Sequence, residues 1–436
     1  MKSIIISSNC SGGGKTTFTL GLMKLLKNKG YDVQGYKVGP DYIDSGFHSE
    51  ITGKQSRNLD LHLMGEEGVK ASFLRGSGDF GVIEGVMGLY DGVSITEKGS
   101  TYSISKLLSD TPIVLVLTPK AQCTTLAAEI NGIKNFKNAN IIGVVFNAVN
   151  QKYYELLKAV VEENCDVKVL GYIPKDDSIK LESRHLGLVQ SVEVNNMVDK
   201  IERCAKLIEK NIDITYLLQN SKEVKLEVKD RFHLDDRKIN IAIAYDEAFR
   251  FYYKENLELL EEIGNVSYFS PIKDEKLPEN IDFLYLGGGY PEVFKEKLAQ
   301  NRSMRNSIKE ALEKGLKCYA ECGGLMYLTE RIEDCEMVGF FRGYTYMTKS
   351  LQRFGYSNVE IQGEKININI NININCHEFH KSDVDIKEER IYNVTKESWN
   401  GNTLKWNCGY KKENTIAGYP HIHFFGNMEF LKWLIE

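Results

Sequence analysis

The sequence predicts an α/β protein built from two parallel-sheet domains in series, and three observations predict it. Short apolar runs alternate with helix-patterned stretches through the first half, and a glycine-rich turn follows the first run directly. After a charged stretch the alternation restarts and leads to a cysteine on a second strand-to-helix turn. The expected division is a P-loop domain at 1–200, a linker at 201–237 and a second α/β domain at 238–436.

In the first half the strand candidates are 4–7, 33–38, 80–84, 113–117 and 141–146. Open α/β sheets bind ligands beyond the carboxyl ends of their strands, so the segments after these runs carry the functional expectation. Three are chemically distinctive: the glycine turn, Lys37-Val38-Gly39-Pro40-Asp41-Tyr42-Ile43-Asp44, and Glu84-Gly85-Val86-Met87-Gly88-Leu89-Tyr90-Asp91-Gly92. Between about 197 and 237 the pattern turns helical and then strongly charged, which reads as the connection between domains. The Ile/Asn alternation from Ile366 to Asn375 has period two and reads as a half-buried antiparallel strand to which no chemistry is attached.

The glycine turn is Ser11-Gly12-Gly13-Gly14-Lys15-Thr16-Thr17, after Ile4-Ile5-Ile6 and before a helical run. A strand, a glycine turn and a helix N-terminus present backbone N–H groups and a positive dipole end to a polyphosphate. Gly12, Gly13, Gly14, Lys15, Thr16 and Thr17 are therefore the expected ATP-binding residues, with Lys15 on the β/γ-phosphates and Thr16 on Mg²⁺. Asn9 occupies the place where the standard spacing has its first glycine. Mg²⁺ prefers oxygen donors, so Thr16, Asp41 and Glu84, each just past a strand, are the metal candidates, with Asp44 and Asp91 as further acids. Lys37 is a second cation that would stabilise charge developing on a transferred phosphoryl group. A switch or partitioning ATPase would also use such a loop, but Cys10 stands where its signature lysine is expected.

The second turn is Lys317-Cys318-Tyr319-Ala320-Glu321-Cys322-Gly323-Gly324-Leu325-Met326. A nucleophile on such a turn is exposed at the top of a sheet, beside backbone N–H groups that can hold an oxyanion. Cys322 is the expected nucleophile, and Tyr419-Pro420-His421-Ile422-His423-Phe424 supplies two histidines as bases. Cys318 and most of the other cysteines read as small buried hydrophobes.

Composition bounds the function class. The 436 residues carry a net charge of −5, with 42% hydrophobic and 26% charged residues, which are globular values without a basic footprint for nucleic acid. Nine cysteines without paired metal spacing suit a reducing compartment. The first apolar residues run into the glycine turn instead of a cleavage site, and no apolar stretch reaches the ~18 residues of a spanning helix. The expectation is a cytoplasmic protein with neither nucleic acid nor membrane as partner.

Taken in order, the segments at 37–44 and 84–92, Ser183-Arg184-His185-Leu186-Gly187-Leu188, Phe251-Tyr252-Tyr253, Leu286-Gly287-Gly288-Gly289-Tyr290-Pro291-Glu292, the Cys322 turn, His377-Glu378-Phe379-His380 and 419–424 closely resemble the cobyrinate a,c-diamide synthase family. The resemblance covers essentially the whole chain. It implies a P-loop parallel-sheet synthetase domain related to dethiobiotin synthetase, followed by a class I glutamine amidotransferase-like α/β domain. The implied activity is amidation of the a and c acetates of cobyrinate in corrinoid synthesis, with ATP forming acyl phosphates and glutamine supplying ammonia. Hydrogenobyrinate and nickel-sirohydrochlorin are the alternative tetrapyrrole substrates, and a homodimer is one assembly compatible with the family.

Residue by residue, the resemblance places Asp41, Tyr42, Glu84 and Asp91 at substrate or metal-nucleotide contacts. It makes Cys322 the nucleophile, the backbone at Gly288, Gly289 and Gly323 the oxyanion site, and His421 the better-aligned base with His423 as competitor. His423 also stands where many class I glutaminases have a glutamate, so a Cys–His dyad is expected. Departures from the family pattern are Asn9, Cys376 before the His-Glu-Phe-His segment, and Pro420 before the histidine.

Overall fold

The computed structural model describes residues 1–180, 191–228, 231–361 and 372–436. The Ser183–Leu188 motif and residues 366–371 of the Ile/Asn alternation lie outside them. The chain forms two compact units, Met1–Leu61 with Val69–Lys229, and His62–Gly68 with Asp230–Glu436.

The first unit alternates strand and helix: β1 Lys2–Ser8, α1 Lys15–Asn28, β2 Val33–Val38, α2 Tyr42–Thr52, β3 Arg57–Leu59, α3 Leu61–Arg75 and β4 Phe80–Glu84. It continues with α4 Thr101–Leu107, β5 Ile113–Leu117, α5 Thr124–Phe136, β6 Ile141–Val149, α6 Gln151–Asn164 and β7 Lys168–Pro174. Helices α7 Ser191–Asn211 and α8 Ile214–Gln219 and the short β8 Lys222–Glu223 complete it. The strands line up as β3-β2-β4-β1-β5-β6-β7, all parallel, with β8 added antiparallel to the start of β1.

Helices on both faces explain why β1 and β5 are continuous apolar runs instead of alternating ones: Ile4, Ile5, Ile6 and Ile113 to Leu117 are all buried. The five expected strands form, and three more appear, β3, β7 and the two-residue β8. Strand β3 is three residues at a sheet edge, and β7 is interrupted by Gly171, so neither offers a clean apolar run. Helix α7 closes one face of this core through Ile201, Cys204, Ala205 and Ile208. It lies so near α1 that a methyl group on Gly21 would sit 2.7 Å from Cys204 Sγ. Helices α7 and α8 thus occupy the first part of 201–237, and Leu217 is buried in the same core.

The second unit begins with β9 Ile239–Ala244, β10 Phe249–Phe251, α9 Lys254–Ile263, β11 Gly264–Phe269, β12 Phe283–Leu286 and β13 Gly288–Gly289. Helices α10 Lys295–Gln300 and α11 Arg302–Glu313 lead to β14 Lys317–Glu321 and α12 Gly323–Leu328. Strands follow: β15 Arg331–Ile332, β16 Cys335–Glu336, β17 Gly343–Met347, β18 Arg353–Ile361, β19 Ile372–His380, β20 Ser382–Ile386, β21 Arg390–Glu397, β22 Thr403–Lys412, β23 Thr415–Gly418 and β24 His421–Ile422, before α13 Met428–Ile435. The main sheet runs β11-β9-β12-β14-β23-β22-β21-β18-β19-β24. From β11 to β23 it is parallel, and beyond β23 it is antiparallel. In the described part of the Ile/Asn alternation, Ile372 and Ile374 are buried and pair antiparallel with β18, while Asn373 and Asn375 face outward.

Among the described residues, no helix is long and apolar enough to cross a membrane.

Candidate functional site

The glycine loop joins β1 to α1 at the carboxyl edge of the first sheet. Gly12 and Gly14 take left-handed backbone angles, φ 73° and 90°, which a side chain would strain. At Gly13 the constraint is space instead, since a Cβ there would lie 1.9 Å from Ser8 Oγ and that side chain would have to move. Lys15 Nζ donates to the carbonyls of Cys10 (2.9 Å) and Met87 (2.6 Å), so its stem is folded back along the loop. Burial and the neighbouring Lys37 push the Lys15 ammonium down to about 8. Thr17 follows on the first turn of α1.

Beside the loop sits a buried charge network. Glu84, at the end of β4, is fully buried; its Oε1 accepts from Thr16 Oγ1 at 2.5 Å and from Lys37 Nζ at 3.1 Å. Its Oε2 meets His48 Nε2 at 2.8 Å, and the other ring nitrogen of His48 faces Ser56 Oγ at 3.1 Å. Burial alone would raise Glu84, but Lys37, His48 and Thr16 outweigh it and hold the carboxyl well below its usual range. Lys37 also pairs with Asp44 at 2.6 Å, and despite burial Glu84 and Asp44 keep its ammonium above the ordinary lysine value. Burial and the nearby Glu84 push Asp44 up to about 7.

Asp41 is the N-cap of α2, its Oδ1 accepting from the N–H groups of Ile43 (2.8 Å) and Asp44 (3.0 Å). Tyr42 opens that helix. Asp91 Oδ2 accepts from Gly88 N–H at 2.8 Å and so shapes its own loop. Thr16, Lys37, Glu84 and Asp44 are therefore directly linked, while Asp41 and Asp91 are engaged with backbone. Among the described residues, no set of three His, Cys, Asp or Glu side chains is arranged to hold a metal, so the hard donors at the loop are the Thr16 hydroxyl and the Glu84 carboxylate. His48 and Ser56 carried no role in the sequence reading. The signal for His48 was its place four residues after Asp44, one helical turn along the same face.

In the second unit, Cys322 joins β14 to α12 with φ 46° and ψ −99°, a strained turn of the kind that presents a nucleophile. Its N–H donates to Gly418 O at 2.7 Å, tying the turn to the end of β23. Burial, with Glu292, Glu378 and Glu321 nearby, pushes the thiol well above its ordinary value, while an N–H from Gly323 acts the other way. The resting sulfur is thus a neutral thiol that needs a base.

The glycines expected at the oxyanion site are packed together here. A Cβ on Gly323 would lie 3.0 Å from Gly289 N, and one on Gly288 would lie 2.5 Å from His421 Cε1. Tyr252 fixes this segment, its hydroxyl accepting from Gly287 N–H at 2.9 Å and donating to Ala244 O.

The two histidines differ sharply. His423 is fully buried, its Nδ1 accepts the Phe425 N–H at 3.2 Å as the cap of a short 3₁₀ turn, and its Nε2 lies 3.4 Å from Glu255 Oε2. Its Nδ1 is thus engaged as a backbone cap, while Nε2 faces the Glu255 carboxylate without a hydrogen bond. His421 lies over Gly288, stacks on His377 with ring centroids 5.0 Å apart, and has its Nδ1 3.6 Å from Glu321 Oε2. Burial, together with His421 and His62, holds His377 well below the usual imidazole range. Glu321 was quoted in the sequence only as part of the cysteine turn; an acid closing the apolar strand Cys318-Tyr319-Ala320 was the signal that it has partners.

Comparison with known proteins agrees with this pair of sites. Residues 4–189 match the model of the CobQ/CobB/MinD/ParA nucleotide binding domain, and residues 240–429 match that of the CobB/CobQ-like glutamine amidotransferase domain. The chain is 58% identical over 440 residues to the cobyrinate a,c-diamide synthase of Clostridium tetani, covering 100% of both chains. It is 58% identical over 439 residues to that of Clostridium acetobutylicum, again over 100% of both. A 42% identity over 445 residues to the enzyme of Caldanaerobacter subterraneus covers 99% of this chain and 97% of the relative. With a nucleotide-binding unit, a glutamine amidotransferase unit and full-length identity of this order, the chain belongs to the cobyrinate a,c-diamide synthase family.

Proposed function

We propose that the protein amidates the a and c carboxylates of cobyrinate in cobalamin biosynthesis, using ATP and glutamine. The observation that carries this reading is the coexistence, in one chain, of a strained, buried Cys322, whose neighbour Gly323 packs on the Gly288–Gly289 segment that His421 covers, and a glycine loop joined to the Thr16–Glu84–Lys37 network. The regions 1–200 and 238–436 are taken as the amidoligase and glutaminase parts, joined through 201–237.

In the glutaminase, His421 takes the proton of Cys322 Sγ as the sulfur bonds to the amide carbon of glutamine. Backbone N–H groups near Gly288, Gly289 and Gly323 hold the oxyanion. The carbon–nitrogen bond then breaks, the proton passes to the leaving nitrogen, and ammonia departs. Water releases glutamate from the thioester. The full burial of His423 and the use of its Nδ1 as a backbone cap support His421 as the base.

In the amidoligase, Gly12, Gly13, Gly14, Lys15, Thr16 and Thr17 hold the polyphosphate. A substrate carboxylate oxygen bonds to the γ-phosphorus as ADP leaves, and ammonia displaces phosphate from the acyl carbon. Lys15 and Lys37 stabilise the charge on the transferred group. The Thr16 hydroxyl and Glu84 carboxylate fit Mg²⁺ by donor type, with Asp41 as an additional ligand. When bound, Mg²⁺ neutralises phosphate charge. Asp41, Tyr42, Glu84 and Asp91 are assigned to the substrate side of the same loops.

The test is mass spectrometry of cobyrinate, hydrogenobyrinate and nickel-sirohydrochlorin after incubation with enzyme, ATP, Mg²⁺ and glutamine. Preferential formation of a two-amide product from cobyrinate is expected. Preference for another tetrapyrrole would overturn the substrate, and no product from any would overturn the reaction.

A further inference from the structure

Glu321 shares a peptide bond with Cys322, and it is buried at 1% exposure in a strand whose neighbours are apolar or aromatic. A carboxylate in such a place needs donors, and it has them. Its Oε1 accepts the Tyr319 hydroxyl at 2.8 Å and the Ile422 N–H at 3.2 Å, which uses both lone-pair directions of that oxygen. Its Oε2 accepts the Tyr285 hydroxyl at 3.2 Å, and its remaining side faces His421 Nδ1 at 3.6 Å. The donor at Ile422 is the residue next to His421, so one carboxylate is bound to the segment on which the imidazole rides.

We infer that Glu321 is the positioning carboxylate of the glutaminase, receiving Nδ1–H of His421 when Nε2 takes the proton of Cys322. The inference rests on the assignment of His421 as base. It replaces the expected Cys–His dyad with a three-member set whose acid precedes the nucleophile instead of following the histidine. The 3.6 Å separation is within the range over which a resting contact tightens once substrate is bound. The carboxylate fixes the tautomer, keeping Nε2 unprotonated, and stabilises the imidazolium that forms. The tyrosines hold the carboxylate, so that the imidazole and not the acid adjusts.

The test is a double-mutant cycle in the full-length chain with E321Q, H421A and the pair, read by glutamine hydrolysis and by alkylation of Cys322 with iodoacetamide. E321Q should lower kcat for glutamine hydrolysis by about 10³- to 10⁴-fold, with KM for glutamine changed by less than ~3-fold, because the acid does not touch substrate. In the H421A background, E321Q should add less than ~3-fold, because its effect passes through the imidazole. A wild-type kcat in E321Q, or the same fold loss with and without His421, would overturn the inference. Should E321Q not fold, E321D carries the same cycle: it keeps the charge one methylene further back, and a partial loss that disappears in H421A is expected, while an additive loss overturns the proposal. Full hydrolysis by H421A alone would instead fault the choice of base.

Discussion

Gly288 lies directly beneath the imidazole of His421, so closely that a methyl group on its Cα would sit 2.5 Å from Cε1. That separation is shorter than any carbon contact in a packed interior, so either the ring or β13 must move. Gly288→Ala is therefore expected to lower glutamine hydrolysis by at least ~10²-fold, a loss of the size caused by displacing a reacting group by about 1 Å. Steady-state glutaminase kinetics beside a thermal melt check it, and a variant with normal kcat would show that His421 need not hold this position.

Cys322→Ser should abolish glutamine use, because the neutral hydroxyl lacks the nucleophilicity of a thiol, yet leave amidation with added ammonium salts. In the proposed function, acyl activation belongs to the unit that holds Lys15, Lys37 and Glu84. Diamide formation from ammonia at alkaline pH checks it. Loss of both nitrogen sources in a variant with an unchanged melt would contradict the separation.

The pH dependence of Cys322 follows from its burial. With the thiol held above the usual 9.0, only a small fraction is thiolate near neutrality. The rate of iodoacetamide alkylation of the free enzyme should climb roughly tenfold per pH unit through pH 9 without levelling. A plateau below pH 8 would mean that the resting cysteine is already ionised.

Glu84→Gln should be costly to stability. Glu84 and Lys37 are fully or nearly fully buried and face each other at 3.1 Å, so removing the Glu84 charge leaves Lys37 with Asp44 alone and weakens the bonds to His48 and Thr16 as well. A loss of about 3–5 kcal/mol is expected, in line with broken buried pairs. The sign with pH is also fixed. Burial opposes the charge, but Lys37, His48 and Thr16 depress the folded carboxyl below its ordinary 4.5, so this stabilisation is present above that value and is lost as pH falls toward the folded pKa. Chemical denaturation between pH 7 and pH 3 should show a steeper decline for wild type than for E84Q, and parallel curves would contradict the assignment.

His423 is expected to behave as structure. His423→Ala removes the cap on Phe425 N–H and the contact with Glu255 in a fully buried place, at about 1–3 kcal/mol. His423→Asn, which can still cap, should recover part of that loss and retain glutaminase activity. A melt and a glutaminase assay on both variants check it; abolished hydrolysis in a folded H423N would make His423 the base.

Much of the architecture was legible because its signals are local. The runs at 33–38, 80–84 and 113–117 are strands over those very residues, since strands buried on both faces are rich in apolar residues, with Gln34, Lys37 and Glu84 as the buried polar exceptions. The glycine loop and the cysteine turn were legible for the same reason, each being a strand, a tight turn and a helix within a dozen residues. Strand β3 was not, because three edge residues beginning with Arg57 carry no pattern. The partners of the site residues were hidden for a different reason. Whether Glu84 faces His48 on α2, or Glu321 faces Tyr285 on β12, is decided by which elements lie side by side, and that depends on contacts 36 residues apart in each case. Asp41 and His423 looked like free reactive groups in the sequence, and both turn out to be bonded to backbone N–H groups.

The hydrogen bond from Cys322 N–H to Gly418 O anchors the cysteine to a strand followed within three residues by His421. Glu321 pairs in register with Gly418 and His421 with His377, so the sulfur and the imidazole are each held by strand pairing, with only the short Tyr419–Pro420 bend between β23 and β24. Surface loops of this unit can therefore drift in sequence and length while the reacting atoms keep their places, much as the jaws of a vice hold a workpiece whatever is fastened to the bench around it.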